Sequence, residues 1–328
     1  MLTQEQKELR RQGLGGSDLA AVLGLSPWRS PMDVWLDKTR RKEDDETSEP
    51  MLWGSLLEDV VAGEYARRNG VKVRRVNTML RVQGRPFTGF IDRAVHPDGK
   101  MPVVQGEFRT DRILECKTAN AFAGKDWGAS GTTEIPDHYT IQCLHYLGLT
   151  GVRFCDVAVL IGGSDYRQYT VEADANVLGL MWERGERWWR DYVAADKAPE
   201  PRTEGEAVAL WPTSAGKSVS APAEIEAAVG KLAALKDWIK QAEEREKALR
   251  DAICAVLGEA DTLVDSGGRA LVTWKSTKST AVTDWEGLAQ ALNPSDEAVQ
   301  QFSRMKPGYR RFALKTGNGN GNGNGKEG

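Results

Sequence analysis

The sequence predicts a mixed α/β domain followed by a smaller helical unit. Three features carry this expectation. A helix-spaced run at 51–69 precedes a series of strand-like runs, a second helix at 136–149 separates two of those runs, and a Pro-, Ser- and Gly-rich stretch at 195–222 divides the chain. The chain has 328 residues, enough for about two domains. Its 40% hydrophobic and 28% charged content is ordinary for a soluble protein. No long apolar run and no basic-then-apolar leader is read, so neither a membrane span nor a signal peptide is expected.

Residues 1–12 read as a short polar helix. Gly13-Leu14-Gly15-Gly16-Ser17-Asp18 is a flexible loop opening into an apolar helix, with Ser17 as the expected N-cap and Gly24 as the stop. Ser26-Pro27-Trp28-Arg29 forms a turn, and Ser30-Pro31 starts a helix carrying Val34, Trp35 and Leu36. The acidic stretch 43–49 is a loop. In the 51–69 helix, Trp53, Leu56, Leu57, Val60, Val61 and Tyr65 share one face, with Glu58 on its border.

Strands are expected at 71–76, 79–82, 87–95, 103–108 and 112–118, broken by Gly, Pro and Asn. After the 136–149 helix come strands at 154–161 and 166–171, then a helix capped by Asp174. Residues 195–222 read as a linker. A long helix follows at 223–257, with apolar positions at three- and four-residue steps. Such a stripe suits a partner helix or packing on its own domain. Strand-like runs at 270–274 and 309–314 close the ordered part, and the Gly-Asn repeat of 317–328 is expected to be disordered. The expected boundaries are 1–215, 216–316 and 317–328.

Cys116, Cys143, Cys155 and Cys254 form no CxxC pair, which suits a reducing cytoplasm and gives no zinc-site spacing. The net charge of −3 does not itself suggest a nucleic-acid partner. Basic residues such as Arg10, Arg11, Arg40, Arg41, Lys42, Arg67, Arg68, Arg74, Arg75, Arg81 and Arg85 nevertheless crowd the first part of the chain and permit one.

Phosphodiester hydrolysis needs an activated water and neutralisation of charge on the phosphate, and carboxylates that bind a hard divalent ion supply much of both. Glu115-Cys116-Lys117 lies within a strand-like run, so Glu115 and Lys117 project to one face and Cys116 to the other. The Cys116 backbone carbonyl remains a candidate metal ligand. Asp92 closes the strand-like Phe87-Thr88-Gly89-Phe90-Ile91 and can meet Glu115 and Lys117 if the two strands are neighbours. Alone, a Glu-x-Lys triplet arises by chance, as Glu5-Gln6-Lys7 illustrates.

Context supplies the weight. The ordered set Gly15-Gly16-Ser17-Asp18, Ser26-Pro27-Trp28, Gly54…Glu58, Gly89…Asp92, Glu115-Cys116-Lys117 and Tyr139…Gln142…Tyr146 resembles the YqaJ-type viral recombinase family over about residues 8–215. These are phage alkaline exonucleases related to lambda exonuclease, within the PD-(D/E)xK superfamily. The resemblance implies a restriction-endonuclease-like core, with Asp92, Glu115 and Glu58 as ligands for Mg²⁺ (or Mn²⁺) and Lys117 as the catalytic lysine. It makes Glu64 a weaker alternative to Glu58 and Gln142 a glutamine behind the site. It places Arg10 and Ser17 at a terminal phosphate, beside a Gly15-Gly16 cradle. Tyr139 and Tyr146 flank Gln142 at i−3 and i+4, and Trp28 is a candidate DNA contact. Ile91 stands where the superfamily often has proline.

The resemblance further implies 5′→3′ digestion of duplex ends leaving 3′ single strands, a single-strand annealing protein as partner, a ring of three subunits, and the cytoplasm of a bacterial host. A structure-specific endonuclease and a catalytically inactive DNA-binding module are the alternatives. The absence of a four-cysteine cluster argues against an iron–sulfur relative. His96, His138 and His145 lack metal-site spacing, and His145 is expected to pack within its helix.

Overall fold

The computed structural model describes residues 4–42, 48–96, 103–104, 107–306 and 308–315. The Gly-Asn tail and most of the acidic loop expected at 43–49 lie outside them. The chain divides into two compact units, Met1–Ala207 and Val208–Gly328.

The first unit opens with three short helices, α1 (Gln4–Arg10), α2 (Gly16–Val22) and α3 (Pro31–Lys38). Helix α3 starts as expected: the Ser30 hydroxyl accepts the Asp33 N–H at 3.2 Å and Pro31 occupies the first turn. Helix α2 starts two residues earlier than expected. Gly15, not Ser17, is its N-cap, and the Asp18 carboxylate reaches back to accept the Gly15 N–H at 3.0 Å.

Helix α4 (Glu49–Asn69) ends at Gly70, whose φ of 65° is the left-handed conformation that glycine adopts without penalty. Then come β1 (Lys72–Arg75), β2 (Leu80–Arg81), β3 (Thr88–Gly89), β4 (Arg93–His96), β5 (Val103–Val104), β6 (Glu107–Phe108) and β7 (Arg112–Ala119). The single strand expected at 87–95 is thus two. Gly89 pairs with Leu80, whereas Arg93 pairs with Arg75 and Leu114, so the chain changes partners across Phe90-Ile91-Asp92. The run expected at 103–108 is likewise a pair of short strands, with Val103 opposite Phe108.

Helix α5 (Asp137–Thr150), β8 (Phe154–Ile161), β9 (Asp165–Glu172) and α6 (Ala175–Trp188) complete the domain. The sheet order is β1-β4-β7-β8-β9. Only β7 and β8 run parallel, with Glu115 opposite Val157, and α5 is the crossover such a pair requires. Leu114 packs into a cluster with Val61, Ala62 and Tyr65 of α4, and Cys116 packs against that cluster. By strand alternation, Glu115 and Lys117 face the opposite layer, where α5 lies.

The second unit holds the end of α7 (Glu204–Leu210), which the linker reading missed, then α8 (Ala223–Leu257), β10 (Thr262–Val264), β11 (Ala270–Thr273), α9 (Trp285–Leu292) and α10 (Asp296–Phe302). Helix α8 has the bounds the periodicity predicts. A groove of about 910 Å³ between α8 and β11 is lined by Trp238, Leu249, Ile253 and Trp274, so part of the apolar stripe faces its own unit. Residues 309–314, expected as a strand, are not in one, and β11 pairs instead with β10.

Candidate active site

The two strands that carry Asp92 and Glu115 are neighbours, as the expectation requires. Asp92 stands one residue ahead of β4, and its Oδ2 accepts the Cys116 N–H of β7 at 3.0 Å. Glu115 and Lys117 meet on one face of β7, with Nζ 2.5 Å from Oε1. From α5, Gln142 donates Nε2 to Glu115 Oε1 at 2.8 Å and accepts Lys117 Nζ on its Oε1 at 3.1 Å. The same Gln142 amide donates to the Tyr146 hydroxyl at 2.9 Å. Lys117 Nζ also lies 4.9 Å from the Tyr139 ring centroid, within cation–π range. Six side chains, from the segment ahead of β4, from β7 and from α5, therefore converge on one cluster.

Its charge balance is uneven. Burial pushes the Asp92 carboxyl well above its ordinary range, and Glu115 and Glu58 push it further, against Lys117 and the Cys116 N–H. For Lys117 burial acts downward, but Glu115 and Asp92 outweigh it and keep the ammonium protonated. Burial and Glu115 hold the Tyr146 phenol neutral. The second carboxylate oxygen of Glu115, Oε2, is buried with no hydrogen-bond partner. An orphaned carboxylate oxygen beside a second buried carboxylate is a site short of positive charge, and it fits a hard divalent cation.

Glu58 comes from the other layer. Its Oε1 is held by Arg93 Nη1 at 2.6 Å, and by Arg75 Nη2 at 3.3 Å. Arg93 also donates to the Asp92 carbonyl at 2.7 Å and pairs with Asp59. Among the described residues no three His, Cys, Asp or Glu side chains stand as a ready metal-ligand group. Asp92 and Glu115 are brought together, while Glu58 is close enough to shift Asp92 but is engaged by two arginines. Sequence reasoning missed Arg93, although its position beside Asp92 was the available signal. Glu64 is occupied elsewhere, pairing with Arg67 and Arg68 at helical spacing.

The glycine-rich loop packs directly on this cluster. A Cβ on Gly16 would lie 2.8 Å from Gln142 Cγ and 3.0 Å from its Cα, so α2 and α5 touch there at backbone distance. The Gly15 N–H, part of the expected cradle, donates to Asp18 at 3.0 Å. Asp18 itself was quoted in the motif without a role. It is buried, binding Lys38 Nζ at 2.7 Å and Arg29 Nη1 at 2.7 Å. Arg10 adds its charge to Asp18, and its carbonyl accepts Lys38 Nζ at 2.8 Å. Ser17 sits half-buried in the first turn of α2.

A cleft of about 740 Å³ opens beside Lys117, lined by Thr118, Trp28, Trp53, Trp127, His138 and Tyr139. Trp28 is 69% exposed and meets His138 edge-on at 4.7 Å. His145 is buried, but its partners come from β3 and α6 rather than from its own helix. Its Nδ1 accepts the Trp182 N–H at 3.1 Å, leaving Nε2–H to donate to the Thr88 carbonyl at 2.9 Å, and burial lowers its pKa to about 4.

The "YqaJ-like viral recombinase domain" family model matches residues 5–153, which include Asp92, Glu115, Lys117 and Gln142. The chain is 31% identical to "Uncharacterized protein YqaJ" of Bacillus subtilis (strain 168), over 93% of this chain and 92% of that protein. The chain belongs to the YqaJ-like family. Among solved structures, this YqaJ-like chain is similar to an alkaline exonuclease (LHK-Exo) from Laribacter hongkongensis, at 17% identity and TM-score 0.47, covering 59% of this chain and 94% of that one. A phage-related exonuclease from Haemophilus somnus 129PT is similar at 9% identity and TM-score 0.39, covering 58% and 99%.

Proposed function

We infer that this YqaJ-like protein is a metal-dependent exonuclease that digests one strand from the ends of duplex DNA. The observation that carries this reading is the Asp92–Glu115–Lys117–Gln142 cluster with its orphaned Glu115 oxygen. Asp92, Glu115 and the Cys116 carbonyl would hold Mg²⁺, with Mn²⁺ as substitute and Glu58 joining once released from Arg93. The bound ion would neutralise charge on the phosphate and acidify a water.

The protein's own groups do the rest. Lys117, kept as an ammonium, is suited to orient the attacking water and to stabilise the phosphate's developing charge rather than to remove a proton. Gln142 fixes both Lys117 and Glu115 through one side-chain amide, which sets their separation before substrate arrives. Tyr146 supports Gln142, and Tyr139 packs against the ammonium. The family resemblance suggests Arg10 and Ser17 as contacts for a terminal phosphate. Trp28, exposed at the cleft, offers a face for a base. The family resemblance suggests 5′→3′ polarity and 3′ single-stranded product, received by an annealing protein in a host cytoplasm. No helix among the described residues is long and apolar enough to cross a membrane.

The test is a linear duplex labelled at one 5′ end, incubated with Mg²⁺. Release of labelled nucleotide, lost in Lys117→Ala, is the expected result. Equal release by that variant would sink the assignment. Cleavage of a closed circle would favour an endonuclease, and duplex binding with no cleavage in any metal would indicate an inactive module.

A further inference from the structure

The last described stretch of the chain has a composition that the nuclease site does not use. Between Arg304 and Lys315 stand Arg304, Lys306, Arg310, Arg311 and Lys315 with no acidic residue, in a protein whose net charge is −3. Tyr309 is 77% and Phe312 66% exposed, and the described residues here, 304–306 and 308–315, are in neither helix nor strand. Among the described residues no carboxylate pairs with any of the five cations; Arg310 Nη1 instead donates to the Trp211 carbonyl at 3.3 Å. The Trp211 side chain is itself half exposed.

The bland alternative for such a segment is a strand that buries one face. The exposure of Phe312 and the pairing of β11 with β10 weigh against it. Exposed rings interleaved with unpaired cations along an irregular backbone complement a polyanion whose flat faces are also exposed. Duplex DNA hides those faces and single-stranded DNA presents them. Each cation near the backbone displaces a counterion, and each ring stacks on a base with little regard to sequence.

We propose that residues 304–315 bind single-stranded DNA without sequence preference, through Tyr309, Phe312 and the surrounding Arg and Lys side chains. The inference rests on the nuclease reading only for the source of that strand, the one left undigested. The binding itself does not depend on it.

The experiment uses the full-length protein in EDTA with a short fluorescent circle of oligodeoxythymidylate, which has no end for the nuclease site to accept. Binding is followed by anisotropy over a range of salt. Replacing Tyr309 and Phe312 together by Ala is expected to weaken binding at least about tenfold with an unchanged salt slope. Replacing Arg310 and Arg311 by Gln is expected to make the log–log salt slope shallower by about 1.4. Both variants should retain the wild-type rate on a short blunt duplex with Mg²⁺. Unchanged affinity in the ring variant would overturn the proposal. So would polyglutamate competing as well as the circle at equal charge, which would mark a site for an acidic protein, or a change of mass in light scattering without a change in DNA binding. Loss of duplex hydrolysis in the wild type, with binding still sensitive to both variants, would refute the nuclease reading and leave this one standing.

Discussion

Two buried carboxylate–lysine pairs lie in the first unit, and their surroundings are opposite. At α2, Asp18 sits among three cations, Lys38, Arg29 and Arg10, and Asp37 stands at the edge of the group, 3.7 Å from Lys38 and 3.5 Å from Arg29. At β7, Asp92 and Glu115 are two carboxylates sharing Lys117, with Glu58 nearby. Burial raises the affinity of both aspartates for a proton, but the three cations reverse this at Asp18 and hold it well below the usual range. At Asp92 the neighbouring carboxylates add to burial. The pair at Asp18 is complete in its own right and fixes the start of α2. The pair at Asp92 is short of one positive partner, and that shortage is what the proposed metal ion would make up. A buried ion pair alone says little about function; the sign of its residual charge says more.

The most direct way to break this contrast is to remove one carboxylate charge from each side. Asp18→Asn takes from the buried Lys38 and from Arg29 their shortest carboxylate contacts, leaving only the longer ones to Asp37, and is expected to destabilise the protein by about 3 kcal/mol in urea unfolding. Asp92→Asn relieves like-charge repulsion, so its unfolding midpoint should match or exceed wild type. Its Mg²⁺-supported hydrolysis should fall about 10³-fold, a typical cost for a group at the reacting phosphate. If Asp92→Asn lost as much stability as Asp18→Asn, the two clusters would be structural alike.

The same contrast predicts opposite pH behaviour. The ordinary aspartate value is 3.8, and Asp18 lies below it in the folded state. Its contribution to stability is therefore complete above about pH 4 and is lost as pH falls toward the depressed folded value. Asp92 lies above 3.8 when folded, so the native state holds its proton longer than the unfolded chain. Its ionisation becomes a cost as pH rises through the raised value. Melting temperatures of wild type and Asp92→Asn should thus diverge as pH rises above the ordinary aspartate value of 3.8, with the variant ahead by a few degrees. Mn²⁺ should close that gap by stabilising only the wild type. A constant gap across the range would show that Asp92 is not repelled by its neighbours.

How much of this was legible in the sequence follows from what each residue depends on. Alternation along one strand is local, so Glu115 and Lys117 could be placed on a common face before any fold was known. Helix α8 was legible for the same reason, since its stripe repeats over many turns. The division of 87–95 into β3 and β4 was not, because it depends on which strands lie alongside, and β2 and β7 are distant in sequence. Asp18 looked like part of a capping loop. Its real partners, Arg29 and Lys38, come from the next turn and helix, and a pattern of residue types cannot report burial. Glu58 was identified as a carboxylate near the site, but its capture by Arg93 and Arg75 is a tertiary fact.

The contact between the two clusters gives the smallest and sharpest of these tests. Gly16 follows the backbone N–H that Asp18 captures, and its Cα faces Gln142, the residue that spaces Lys117 from Glu115. Gly16→Ala places a methyl 2.8 Å from Gln142 Cγ and 3.0 Å from the α5 backbone, so the helices must part by a few tenths of an ångström. Overpacking of this kind should cost about 1–2 kcal/mol of stability. A displaced Gln142 should lower kcat about tenfold with little change in KM, because the geometry of the reacting groups suffers before the DNA contacts do. Adding Gln142→Ala to Gly16→Ala removes the clashing Cγ and the hydrogen bonds together, and the double variant should be no slower than Gln142→Ala alone. Additive losses would mean that the α2 loop acts on catalysis by another route than Gln142.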